Sequence, residues 1–230
     1  MKPRAAISWS GGKDSYLALH RSQSAFDIVA AITMFDEQGA RSRSHGLRPD
    51  VVEAQARRLG LTAVPGRGSW AGYEDGYRRA LRDVRALGVT HVIFGDIMYE
   101  SNREFPERVC AAEGLVAVEP LWGEPTDLLY REFVATGADA RIVTIRDGLL
   151  TPDWLGRRLT LTLLNDLIAA GVDPCGEHGE YHTLVLDAPL FSSPLPFTTG
   201  EYVCHNGCWA IDVGIAQGQP ATDPFDAAGH

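Results

Sequence analysis

Short apolar runs alternate with stretches of helical periodicity through the first half of the chain. Ala5-Ala6-Ile7 reads as a strand, and Tyr16-Leu17-Ala18-Leu19-His20 follows with the pattern of a helix. Phe26 to Thr33 is apolar enough for a buried strand, Pro49 to Leu59 repeats its apolar residues at helical spacing, and Leu61-Thr62-Ala63-Val64-Pro65 is the next short strand. Tyr77 to Leu87 is amphipathic, and His91-Val92-Ile93-Phe94-Gly95 is a strand that stops at glycine. Repeated strand–helix units of this length predict the α/β class, a Rossmann-like parallel sheet covered on both faces. After Gly123-Glu124-Pro125-Thr126 the pattern changes to a helix at Asp127 to Ala135, a strand at Ala140 to Ile145, a helix at Leu159 to Ala170 and a strand at Leu184-Val185-Leu186. The expected organisation is a nucleotide domain over residues 1–124, a smaller α+β domain over 125–215 that faces it across a cleft, and a flexible tail over 216–230, where Gln, Gly, Pro, Thr, Asp and Ala dominate.

Between the first strand and the first helix lies Ser8-Trp9-Ser10-Gly11-Gly12-Lys13-Asp14-Ser15. Two glycines let the backbone approach an anion, Ser10 and Ser15 offer hydroxyls, Lys13 adds a charge, and the helix directs its positive end at the same spot. A Walker A loop would need a glycine where Ile7 stands and a Ser or Thr where Asp14 stands, and the G-x-G-x-x-G spacing of dinucleotide folds is missing. Ser10 to Ser15 instead resembles the signature of the PP-loop ATP pyrophosphatases, which implies ATP held by its pyrophosphate end and cleaved to AMP and pyrophosphate. A parallel sheet gathers ligands at the carboxyl ends of its strands, where this loop, the segment after Thr33 and the Gly95-Asp96-Ile97 turn converge. Asp96 and Asp14 are therefore candidates for a Mg2+ ion, with Gly95 in the nucleotide wall. His45, in the polar loop Ser42-Arg43-Ser44-His45-Gly46, falls where the adenosine of a PP-loop nucleotide is expected.

Composition narrows the partners. The 230 residues carry a formal net charge of −9, which disfavours a broad nucleic-acid surface, and the densest basic residues alternate with acids and apolar residues. No run approaches a membrane span or a signal-peptide core, so the expected compartment is the cytoplasm, and four cysteines without a secreted pattern are expected to stay reduced.

A second concentration of chemistry lies downstream. Asp173-Pro174-Cys175-Gly176-Glu177-His178-Gly179-Glu180-Tyr181-His182-Thr183 packs carboxylates, imidazoles and a thiol into one glycine-containing loop, a composition suited to acid–base chemistry, metal binding or recognition of a polar substrate. Gly176 and Gly179 allow a tight fold that turns Glu177 and Glu180 to one cavity. Cys175, His178 and His182, with Cys204, His205 and Cys208, form an alternative set of zinc ligands, although no C-x-x-C spacing is present.

The phosphate loop together with Gly176 to Val185, Asp187-Ala188-Pro189-Leu190-Phe191, Glu119-Pro120-Leu121-Trp122-Gly123 and Leu155-Gly156-Arg157 resembles the diphthine–ammonia ligase family of the PP-loop group, over about residues 5 to 195. The resemblance implies an ATP-dependent ligase that adenylates a small-molecule or protein-borne carboxylate with ATP and Mg2+ and then transfers ammonia to it. Lys13, Glu177, Glu180 and His182 are the catalytic residues it implies, Ser10 to Ser15 with His45, Gly95 and Asp96 the nucleotide-binding ones, and Gly176, His178, Gly179, Tyr181 and Thr183 the acceptor-binding ones. Glu180 or His182 would serve as base, His182 titrating near neutrality if unperturbed. Diphthamide-forming members show G-E-G-G-E-Y-E-T, whereas this chain has His178 and His182 at two of those places, closer to the loop of a bacterial branch, and bacteria do not make diphthamide. The acceptor carboxylate therefore stays open, and a homodimer is a candidate assembly. Two other classes remain at this point, a PP-loop sulfur transferase and a nucleotide-binding sensor without ligase chemistry.

Overall fold

The computed structural model describes residues 1–205, 207–216 and 225. The first five strands form one parallel sheet: β1 (Arg4–Ser8), β2 (Asp27–Phe35), β3 (Thr62–Arg67), β4 (His91–Ile93) and β5 (Val116–Val118), in the order β3-β2-β1-β4-β5. Helices α1 (Lys13–Ser22), α2 (Pro49–Arg58), α3 (Tyr73–Ala86) and α4 (Glu100–Ala112) connect them. The chain thus has the α/β, Rossmann-like architecture that its alternating pattern predicts. The order reverses at β1, whose follower β2 lies on one side and β4 on the other, and such a switch point opens a crevice at the carboxyl ends of the two strands.

A second sheet is antiparallel, in the order β7-β6-β9-β8, built from β6 (Asp139–Arg146), β7 (Tyr181–Asp187), β8 (Phe197–His205) and β9 (Cys208–Ile215), with α5 (Thr126–Ala135) and α6 (Leu161–Ala169) packed alongside. Several elements go beyond the hydrophobic pattern: α3 starts four residues before Tyr77, and α4, β5, β8 and β9 have no counterpart in it. Helix α4 is mostly exposed on a polar surface and contains Pro106, which masks its period, and β5 has only three residues.

Two apolar clusters hold the molecule. One, between the parallel sheet and α3 and α4, includes Ile32, Tyr77, Leu81, Val92 and Val109. The other runs from the opposite face of that sheet, through Ile7, Leu17 and Val51, into Tyr130, Ile142, Leu164 and Leu184 of the second sheet. Burial on the order of 25 cal/mol per Å² of apolar surface makes this continuous cluster the force that presses β7 against the phosphate loop. Of the tail only Ala216 and Phe225 are described, and the Phe225 ring packs 5.2 Å from Phe197. No helix among the described residues is long and apolar enough to cross a membrane.

Candidate active site

The phosphate loop is clamped between the two sheets. Gly11 takes φ +88°, in the left-handed region, which turns the chain so that Gly12 becomes the N-cap of α1. The Gly11 carbonyl accepts from the Val185 amide at 2.9 Å and the Lys13 amide donates to Thr183 Oγ1 at 3.0 Å, so β7 forms the opposite wall. Gln55, wholly buried on α2, braces this junction. Its Nε2 donates to the carbonyls of Gly11 (3.0 Å) and Val185 (2.7 Å), and its Oε1 accepts from the Trp9 indole at 3.0 Å. Nothing in the sequence singles out Gln55, because one amide inside an amphipathic helix gives no sign that its partners come from two distant segments.

A cleft of about 510 Å³ opens at the switch point, within the range of small-molecule sites. Its walls include Ser10, Lys13, Asp14, Ser15, His45, Gly95 and Asp96 on one side and Cys175, Gly176, Glu177, Gly179, Tyr181, His182 and Thr183 on the other. The two polar segments singled out in the sequence, some 160 positions apart, therefore meet. The lining also includes Ile32, Thr33, Met34, Tyr73, Tyr77, Phe94 and Phe105, largely apolar side chains of a kind that suits a planar base.

Lys13 is 3% exposed and does not hang free in the cleft. Its ammonium donates to Asp14 Oδ2 at 2.8 Å and to the Cys175 carbonyl, and it lies 5.3 Å from the centre of the Tyr181 ring. Burial alone would lower its pKa, but Asp14 and the groups around it hold it well above the ordinary lysine value, so it stays charged. Ser10 and Ser15 hydroxyls lie 3.1 Å apart, and Ser15 Oγ donates to the Gly12 carbonyl at 3.0 Å.

Three cleft carboxyl groups share a low-dielectric space. Burial, with the Asp14 charge beside it, pushes Asp96 up to about 6, and burial together with Asp14 pushes Glu177 up to about 7. Asp14 and Asp96, held at the start of α1 and after β4, supply the hard oxygen donors that Mg2+ prefers, and their mutual repulsion is what a divalent cation would relieve, so the residues present fit the ion. Among the described residues no group of three or more His, Cys, Asp and Glu side chains could hold a metal. The zinc set is not assembled there: Cys175 is buried with its thiol donating to the Thr126 carbonyl at 3.3 Å, while Cys204 and Cys208 belong to the β8–β9 hairpin, and the His205 side chain lies outside the described residues.

Two expected bases need correction. Glu180 is 4% exposed, and its carboxylate accepts from the amides of Asp173 (3.2 Å) and His178 (2.9 Å), so it organises the loop from inside and is not among the cleft-lining groups. Substituting Glu180→Gln should lower unfolding free energy by about 1–3 kcal/mol, because an amide NH2 then opposes backbone N–H groups, while ATP affinity stays unchanged. Thermal melting and ATP titration of the variant read the two effects, and unchanged melting contradicts the internal role. His182 does not titrate near neutrality. Burial first, then the Lys13 and Arg146 charges, hold it down to about 4, and its ring stacks 4.7 Å from that of His45. His45 is likewise held well below its usual value, chiefly by burial, and its Nδ1–H donates to the Thr183 carbonyl at 2.9 Å. The pair is a neutral wall above the phosphate loop.

The remaining expected contacts divide. Gly176 and Gly179 both have positive φ, 73° and 75°, as a tight loop requires. Tyr181 presents its ring to the cleft, but its hydroxyl donates to the Pro174 carbonyl. His178 is exposed, lies outside the cleft lining and pairs through Nδ1 with the Tyr99 hydroxyl of the β4–α4 loop.

Comparison with known proteins gives a consistent pattern. Residues 3–117 match the family described as diphthamide synthase N-terminal domain and residues 124–217 the diphthamide synthase C-terminal domain. The chain is 29% identical to a diphthine–ammonia ligase of Mus musculus over 229 residues, covering 88% of this chain and 86% of that one. It is 32% identical to one of Schizosaccharomyces pombe over 139 residues (57% and 23%) and 35% identical to one of Rattus norvegicus over 119 residues (50% and 45%), so it spans less than half the length of these two relatives. With both domain families matched in order across nearly the whole chain, this protein belongs to the diphthamide synthase family.

Proposed function

We propose that the chain is an ATP-dependent ligase that converts a carboxylate to an acyl adenylate, with release of pyrophosphate, and then passes ammonia to it with release of AMP. The observation that supports this most is the meeting of a Walker-unlike phosphate loop with the Cys175–Thr183 loop across one cleft that also holds the Asp14–Asp96 pair. Relatives of the chain named diphthine–ammonia ligase support the same reaction class. The acceptor is a small-molecule or protein-borne carboxylate.

In this reading the N-terminal turn of α1 and the Ser10 and Ser15 hydroxyls bind the phosphates, and the α1 dipole and Lys13 neutralise charge on the departing pyrophosphate. Asp14 and Asp96 would hold Mg2+, which supplies Lewis-acid charge neutralisation at the phosphate oxygens when bound. The apolar lining near Thr33 and Tyr77 takes the base. Glu177 replaces Glu180 and His182 as the proton acceptor for incoming ammonium, because it faces the cleft and its carboxyl titrates near neutrality. Glu180 positions that loop, and the neutral His45–His182 wall admits an anionic acceptor without adding a second fixed cation beside Lys13.

Asp96 gives a pH signature. Burial, with the Asp14 charge, sets its carboxyl at about 6, and a cation binds only the ionised form. Affinity for MgATP should therefore be constant above that point and fall about tenfold per pH unit below it. Asp96→Asn should bind weakly at every pH with that slope gone, as isothermal titration between pH 5 and 8 would reveal.

The decisive experiment incubates the protein with ATP, Mg2+, ammonium and a fractionated metabolite and protein pool, following nucleotides by phosphorus NMR. Ammonium-dependent AMP and pyrophosphate, lost in Glu177→Gln while ATP binding is kept, is the expected result. ADP and phosphate would overturn the reading. AMP formation coupled to sulfur incorporation, not to ammonium, would favour the sulfur transferase.

A further inference from the structure

One buried carboxylate oxygen at the carboxyl end of the parallel sheet has no donor among the described residues. Strands β4 and β5 pair in parallel with Ile93 opposite Val118, and the Phe94 amide donates to the Val118 carbonyl at 2.8 Å. Asp96 and Glu119 therefore leave neighbouring strand ends at the same edge of the sheet. The Glu119 side chain is only 8% exposed, and among the described residues its buried Oε1 has no hydrogen-bond partner. The nearest cation, Arg103, stands off at 3.8 Å from Oε2, donates its Nε–H to Glu107 Oε1 at 3.0 Å and lies 5.5 Å from the Trp122 ring centre. The other charged groups acting on Glu119 are Asp96, Glu107 and Glu100, all of them acceptors.

A buried carboxylate oxygen without a donor is a costly state for a fold to keep unless a ligand completes it. The missing partner must bring N–H or O–H donors and positive charge, and it must be small enough to reach an atom closed to bulk water. Mg2+ fits poorly there, since it dehydrates reluctantly and demands near-octahedral oxygen geometry. A compact monovalent cation that donates hydrogen bonds fits both requirements.

We propose that Glu119, with the Asp96 charge acting on it, forms a site for ammonium at the shared strand end of β4 and β5. The proposal rests on the ammonia-ligase reading above and adds where nitrogen waits. Burial, with the Asp96 charge acting on it, pushes the Glu119 carboxyl up to about 7 against the opposing pull of Arg103.

Crystals of the intact protein at pH 8, soaked in thallous acetate, test this, because Tl+ scatters anomalously and resembles ammonium in size and charge. An anomalous peak within contact distance of Glu119 Oε1 is expected, removed by excess ammonium acetate, left in place by tetramethylammonium and only weakly reduced by the same concentration of potassium. Glu119→Gln, of equal volume, should lose the peak. No peak in the parent protein overturns the site, and equal displacement by potassium and ammonium overturns the assignment to ammonium. The soak needs neither ATP nor acceptor, so its failure leaves the AMP-forming reaction untouched, and failure of that reaction would not remove the peak.

Discussion

Lys13→Met should reduce AMP formation by about 100- to 1000-fold, the usual cost of removing one preorganised donor to a developing anion. The variant keeps the length and apolar stem of the side chain and loses only the ammonium. That ammonium joins Asp14 at 2.8 Å to the Cys175 carbonyl, so it also ties the phosphate loop to the loop of the second sheet. Deleting it leaves that carbonyl without a donor, and a loss of about 1–3 kcal/mol in unfolding free energy should accompany the catalytic defect. The two effects separate experimentally. If Lys13 were only a strut, turnover measured well below the melting temperature would remain near that of the parent. A stable variant that still releases pyrophosphate at the parent rate would remove Lys13 from the chemistry.

Gly95→Ala should weaken ATP binding by about tenfold or more, a loss near 1.4 kcal/mol, and lower stability by about 1–3 kcal/mol through overpacking. A Cβ at this position would lie 2.9 Å from the Asp14 carbonyl carbon and oxygen and 3.0 Å from the Ser15 amide nitrogen. All three are backbone atoms of the first turn of α1, so no side chain can swing aside, and relief requires moving the helix start that binds the phosphates. Gly123→Ala is the matched control. Gly123 has φ +74°, but a methyl group added there would meet nothing within 4 Å, so the substitution should cost stability through local strain and leave ATP affinity alone. Equal ATP affinity in Gly95→Ala and the parent, measured by isothermal titration, contradicts the tight approach of β4 to the phosphate loop.

Much of the fold was legible because its causes are local. Buried parallel strands such as β2 are near-continuous apolar runs, α2 and α3 repeat their apolar residues at helical spacing, and the alternation of the two specifies a parallel sheet. The elements that were not legible lack such signals. β5 is three residues long, α4 buries only Pro106, Val109 and Cys110, and the β8–β9 hairpin includes exposed Tyr202 and Val203 at the edge of the second sheet.

Within the candidate site the same division holds. The phosphate loop is legible in the sequence, since glycines, serines and lysine before a helix specify an anion site through backbone geometry, and the composition of residues 173–183 marks them as chemically dense. The roles inside that second loop were settled by folding. Glu177 and Glu180 are identical in type and three positions apart, yet one faces the cleft and is raised to about 7 while the other accepts from the Asp173 and His178 amides. His182 became a neutral wall because folding buried it beside Lys13 and Arg146, and Glu119 Oε1 lacks a donor among the described residues because folding sets its strand end next to that of β4, with Arg103 only at Oε2. A side chain's protonation and its partners are set by the dielectric and the charges that distant segments bring to it, and those are properties of the folded chain alone.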